Sequence, residues 1–132
     1  MTPNQFAELL QAQGFRGKLS VAGGRVAQIL SGASGIEYTI TFFPRSPDGS
    51  SIEDFSSFSF LFRSELSYEE NHEVVNALNV GTRFLRYSVA DGIMSTEMDC
   101  AISSDQLDEE LAMRQVNIWV IGLSNFIRSQ SE

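Results

Sequence analysis

The apolar and polar positions of the chain change period several times, and each change marks an element. Phe6, Leu9 and Leu10 share one helical stripe. Thr2 is placed to cap it, Pro3 suits the first helical position, Gln5 completes a capping box, and Gly14 can end the helix in the left-handed conformation. A helix over about residues 3–13 is predicted. Beyond it, Ser, Thr, Gly and Phe replace the helix formers. Val26 to Ser31 is a short apolar run closed by Gly32-Ala33-Ser34-Gly35, a turn signal. Ile36, Tyr38, Ile40 and Phe42 then alternate with Glu37, Thr39 and Thr41, the period of a half-buried strand. Pro44 and Pro47-Asp48-Gly49 break that run. Phe58, Phe60 and Phe62 repeat it against Ser57, Ser59 and Arg63. Three consecutive antiparallel strands are expected after the first helix.

Ser67-Tyr68-Glu69-Glu70 reads as a second capping box, with Val74, Val75 and Leu78 as the apolar side of a helix over 67–80 and Gly81 as its stop. Leu85, Tyr87 and Val89 alternate with Arg86 and Ser88. Across Ala90-Asp91-Gly92, Met94, Met98, Cys100 and Ile102 line one face opposite Ser95, Glu97 and Asp99. Asp-Gly between two alternating runs is a hairpin signal. The last helix is predicted from Ser103 or Ser104 to about Arg128. Its 24 or so residues would measure roughly 36 Å at 1.5 Å each, enough to span the domain. Val116, Ile118, Trp119, Val120, Ile121, Leu123, Phe126 and Ile127 make its second half apolar on several sides, so part of its burial is expected from a second subunit. The expected architecture is α+β, in the order α-β-β-β-α-β-β-α, an antiparallel sheet with helices on one face. Residues 1–132 read as a single domain.

Composition narrows the function classes. With 132 residues, 42% hydrophobic and 20% charged, the chain can build a core and is not a disordered sequence. Its 17 acidic and 9 basic residues give a formal charge of -8, which repels a phosphate backbone unless the cations cluster, and they do not. No nucleic-acid partner is expected. Cys100 is the single cysteine, so no internal disulfide is available. The run Ile118 to Leu123 is far short of the ~20 residues of a membrane span. Met1 to Phe6 carries neither a basic nor an apolar leader pattern, and a cytoplasmic location without membrane attachment is expected.

Candidate chemistry is sparse. His72 is the only histidine, flanked by Glu69 and Glu73 at helical spacing. A weak divalent site there competes with a solvated acidic helix start, and three ligands within one turn rarely close a site. Cys100 as a nucleophile would need His72 or another cation beside it, yet it shares its strand face with Met98 and Ile102, the setting of a buried inert thiol. Gly23-Gly24 and Gly32-Ala33-Ser34-Gly35 lack the Lys-Ser or Lys-Thr of a phosphate loop. The acids between Glu97 and Glu110 lack the register of a calcium loop. Arg83 and Arg86 either grip an anion or belong to a salt-bridged surface. No catalytic residue, cofactor or metal is expected.

Strand parity assigns Tyr38, Ile40, Phe42, Phe58, Phe60, Phe62, Leu85, Tyr87, Met98 and Cys100 to the helix-covered side. The opposite face then carries Glu37, Thr39, Thr41, Ser59, Arg63, Arg86, Ser88, Glu97 and Asp99, together with four apolar residues, Phe43, Leu61, Phe84 and Ile93. Scattered singly, these four need no explanation. Clustered, they would form a hydrophobic patch with a charged rim, suited to a protein partner. They are the expected partner-binding residues, Leu61 and Phe84 foremost, and strand order decides between the alternatives.

The segment Asn76-Ala77-Leu78-Asn79-Val80-Gly81-Thr82-Arg83-Phe84-Leu85-Arg86-Tyr87, followed by Asp91-Gly92, resembles the YbjN family, small bacterial proteins labelled sensory transduction regulators. The resemblance lies in two spaced asparagines closing a helix, an Arg-Phe strand, an Asp-Gly turn, a long strand, and a final helix with Trp119 and Phe126. It covers roughly residues 66–128. The first half matches in element order, and Ser103-Ser104-Asp105 stands where the family often carries glycine. The resemblance implies a fold like that of type III secretion chaperones, which are small, acidic, commonly dimeric, ordered α-β-β-β-α-β-β-α, and bind an extended segment of another polypeptide. It therefore implies a non-enzymatic, homodimeric regulatory or adaptor protein that binds a protein partner. The alternative is a type III secretion chaperone holding an effector's N-terminal segment.

Overall fold

The computed structural model describes residues 1–33, 35–45, 51–65, 72–81 and 83–130. Their order is α1 (Pro3–Ala12), β1 (Lys18–Ala22), β2 (Val26–Ala33), β3 (Ile36–Pro44), β4 (Phe55–Glu65), α2 (His72–Gly81), β5 (Arg86–Ala90), β6 (Ile93–Cys100) and α3 (Glu109–Gln130). The strands form one antiparallel sheet in the order β1-β2-β3-β4-β6-β5. The α+β class stands. The expected element order is one strand short, because β1 was not foreseen. β1 lies at the sheet edge with four of its five residues exposed, so burial imposes little hydrophobic alternation on it. Its one signal is the turn: Gly23 and Gly24 take φ of 60° and 72°, which L-residues reach only with strain. Without this edge strand the order is the predicted one.

Helix α1 forms as its punctuation dictates. The Gln5 amide donates to Thr2 Oγ1 at 3.1 Å, the Thr2 amide donates to Gln5 Oε1 at 2.8 Å, and Gly14 leaves the helix at φ +85°. The start of α3 differs from expectation. Asp108 caps it, accepting from the Leu111 amide at 2.8 Å, and the helix begins at Glu109 instead of the serines. Ser104 is buried and committed elsewhere. Its amide donates to Phe55 O at 3.0 Å and its hydroxyl to Asp54 Oδ1 at 2.5 Å, which fastens the segment before α3 to the start of β4. The capping box at 67–70 lies outside the described residues.

The core sits between the helices and one face of the sheet. The Phe6 ring of α1 meets the edges of Phe42 and Phe58 at 5.6 and 5.7 Å. Trp119 of α3 stacks on Phe60 at 5.4 Å and meets Tyr38 at 5.7 Å, while Phe126 packs on Tyr87. Ala112, Val116, Trp119, Leu123 and Phe126, alternately four and three apart, form the buried stripe of α3. The remaining sides of this helix, broadly apolar in sequence, are covered less, and Ile121 is exposed. Of the residues assigned to the core by parity, Phe62 is half-buried and all others are buried. Gly122 gives Leu85 its seat, since a Cβ there would stand 2.8 Å from Leu85 Cδ1.

The two sheet edges are built differently. At β5 the Asn79 side chain imitates a neighbouring strand: its Nδ2 donates to Tyr87 O at 2.9 Å and its Oδ1 accepts from the Tyr87 amide at 2.8 Å. An edge left open invites pairing with another chain, and Asn79 occupies this one at Tyr87. Asp91 and Gly92, at φ 53° and 76°, form the tight turn to β6 that the Asp-Gly pair predicts.

Candidate functional site

The face of the sheet turned away from α1 and α3 carries the polar residues that parity placed there. One row crosses it from Lys18 through Leu30, Thr39, Leu61 and Glu97 to Arg86. Arg86 donates to Glu97 Oε2 at 2.7 Å and lies 3.2 Å from Asp99, whose carboxylate also accepts from Ser59 Oγ at 2.7 Å. The Glu97 hydrogen bond and the Asp99 charge hold the Arg86 pKa above its ordinary value. Arg86 is therefore part of a salt-bridged surface. Arg83 lies over the Phe84 ring, 5.1 Å from its centroid, a cation–π arrangement.

The four apolar residues expected on this face do not converge. Phe43 lies opposite Ser57 beside a bulge at one end of β3, and Ile93 lies opposite Glu65 at the far end of β4. Leu61 stands between them, each interval being four residues of β4, or about 13 Å at the strand rise. Phe84 lies outside the strands. β5 begins at Arg86, so strand parity does not reach Phe84, which sits in the preceding loop at φ 75° with 61% of its surface exposed. A bulky residue in the left-handed region is strained, and such strain concentrates at functional positions.

A different neighbour joins Leu61. Leu30, across Thr39 in the same row, completes the walls of a hollow of about 280 Å³ with Glu37, Tyr38 and Arg63. The reading of Val26 to Ser31 as one apolar run concealed Leu30; alternation within that run, with Ala27 and Ile29 inward, would have found it. The hollow forms because the β3–β4 ladder stops at Thr39 and Leu61 although both strands continue. Beyond that point Ile36, Glu37 and Tyr38 pair only with β2, and Phe62 and Arg63 only with β6. Glu37 Oε1 accepts from Arg16 at 2.8 Å. Arg63 is exposed, with no carboxylate in ion-pair range among the described residues.

The positions considered for chemistry fare differently. Burial, reinforced by the neighbouring Asp99 charge, pushes the Cys100 thiol up to about 12, and its Sγ lies 3.5 Å from Gln115 Oε1. It stays protonated at neutral pH, which removes the thiolate that a nucleophile requires. His72 opens α2, and Glu69 lies outside the described residues. Among the described residues no group of three or more His, Cys, Asp or Glu is placed to hold a metal ion. No helix among them is long and apolar enough to cross a membrane. In the interior, burial raises the Tyr38 phenol, and the Ser31 hydroxyl opposite it softens that rise without closing a hydrogen bond of ordinary geometry. Thr96 Oγ1 and Trp119 Nε1 are also buried without a hydrogen-bond partner among the described residues.

No family model, curated protein or solved structure is found to match this chain.

Proposed function

We propose that this protein is a non-enzymatic adaptor of the YbjN kind that binds a protein partner on the uncovered face of its sheet and works in the cytoplasm. The observation that carries this reading is the one-sided sheet. Its outer face settles its charges largely among its own residues while leaving Leu30 and Leu61 only half-buried and Phe43 and Ile93 exposed. Phe84, strained and exposed two residues before Arg86 of that face, supplies an aromatic anchor of the type that dominates protein interfaces. The test is capture of a partner followed by reconstitution from purified components. Leu61→Lys and Phe84→Glu are expected to keep the wild-type melting transition and lose the complex. A complex that survives both substitutions excludes this face.

The protein is further proposed to be a homodimer. Ile121 on α3 and Val80 on α2 are large apolar residues that the helices leave exposed. Light scattering at low micromolar concentration should then report twice the 14.6 kDa chain mass, and a monomer at high concentration would remove the dimer. The chaperone reading is favoured by one observation, the element order once β1 is set aside. It is separated from the adaptor reading by mapping: an effector bound through its N-terminal segment supports the chaperone.

A further inference from the structure

We propose that the hollow between β3 and β4 receives the free C-terminus of a partner polypeptide whose last side chain is apolar, with Arg63 holding the terminal carboxylate. This deepens the partner-binding reading and rests on it.

Three features converge on that ligand. The first is electrostatic. Arg16, Arg45, Arg86 and Arg114 each have a carboxylate partner, and Glu37 within the hollow is already engaged by Arg16. Arg63 lines the hollow, exposed and with no carboxylate in ion-pair range among the described residues. A guanidinium offers paired donors that match a carboxylate, and the match adds direction as well as energy. The second feature is apolar: Leu30 and Leu61 form the walls next to that cation. A terminal residue meets both demands at once, because its carboxylate and its side chain leave the same carbon. An internal Asp or Glu would bring the charge without the apolar group. The third is the split in the sheet. Beyond Thr39, the exposed Glu37 of β3 lines the hollow without a ladder partner on its β4 side, the kind of strand edge to which an extended chain can add. Size agrees. About 280 Å³ falls at or below the lower end of small-molecule pockets, room for one residue and not for a cofactor.

The experiment uses a fluorescent hexapeptide pool, degenerate at its first five positions and ending in leucine with a free carboxylate, beside the same pool amidated and N-acetylleucine as competitor. Anisotropy should show the acid pool bound and the amidated pool weaker by about tenfold or more. Arg63→Gln should erase that difference without moving the melting transition, and Arg63→Lys should restore part of it. Amide shifts in NMR should change at Thr39 and Leu61. Equal binding of the amidated pool overturns the proposal, as do acid preference surviving Arg63→Gln, shifts confined to other strands, or no binding at millimolar peptide. N-acetylleucine competing as well as the pool would assign the hollow to a small carboxylate and overturn the polypeptide. If a purified partner depends on Leu61 yet binds Arg63→Gln at full affinity, partner binding stands and the terminal-carboxylate assignment falls.

Discussion

The two faces of the sheet are made by the same strands and obey opposite rules. Along β4, Phe58 and Phe60 are fully buried under α1 and α3, while Ser57, Ser59, Leu61 and Arg63 between and beyond them look outward. The inner face is held by touching aromatic rings, from Phe6 through Phe42 and Phe58 to Phe60, Trp119 and Tyr38. The outer face is held by little: Arg86 bridges two acids, Ser59 joins one of them, and Gln28 reaches Thr41 at 3.3 Å. The inner face therefore explains why this chain folds. The outer face carries the residues that folding does not account for, and those are where function is to be sought.

The comparison is broken most severely by emptying the inner face. Trp119 is fully buried against two rings, so Trp119→Ala should cost about 3–5 kcal/mol in chemical denaturation, against a change within about 0.5 kcal/mol for a comparable truncation on the outer face. Equal costs would mean that the outer face is also core, covered by another subunit. A smaller effect is expected from the thiol. The folded-state pKa of Cys100 is raised from 9.0 to about 12. The stability it contributes is complete below the unfolded value and is lost as pH rises from about 9 through 12. Denaturation between pH 8 and 11 should show this decline in the wild type and a shallower one in Cys100→Ala. Smaller still, and opposite in sign, is Thr96→Val. It replaces a buried hydroxyl that has no partner among the described residues by a methyl group of similar shape, and should raise stability by up to about 1 kcal/mol. A loss would mean that a buried water satisfies that hydroxyl.

The inner face was legible in the sequence because burial writes period two into β3, β4 and β6. Of ten residues assigned inward, nine are buried. What escaped are places where burial does not control the pattern. β1 is mostly exposed, so only its glycine turn marks it. Ser103 and Ser104 look like helix caps, yet Ser104 is spent on Asp54 and Phe55, residues some fifty positions away in sequence and invisible to local spacing. Phe84 continues the alternation of β5 in sequence, but its backbone turns left-handed before the strand starts. On the outer face, the hollow depends on where one ladder stops, which no residue identity encodes. Asn79 is one of two spaced asparagines in the sequence, and its pairing with Tyr87 gives its own place a physical reason.

The smallest effect on stability separates the faces most sharply. Leu61 sits mid-strand between Thr39 and Glu97 and is half-buried, so its removal creates no enclosed cavity. Lysine at this position would face Glu97 across the strand pair, and an opposite-charge pair contributes roughly 0.2–1 kcal/mol. That gain offsets the apolar surface lost from the wall of the hollow, and Leu61→Lys should melt as the wild type does. Glutamate is the harsher substitution, since it would stand against Glu97, although Arg86 already holds that carboxylate at 2.7 Å. Lysine therefore changes the face while sparing the fold. A partner that docks here must bury the new ammonium or leave, and the complex should weaken by about a hundredfold, the loss of roughly 2–3 kcal/mol typical of a central apolar anchor. An unfolded Leu61→Lys would place Leu61 in the core, and a folded variant with undiminished affinity would move the partner elsewhere.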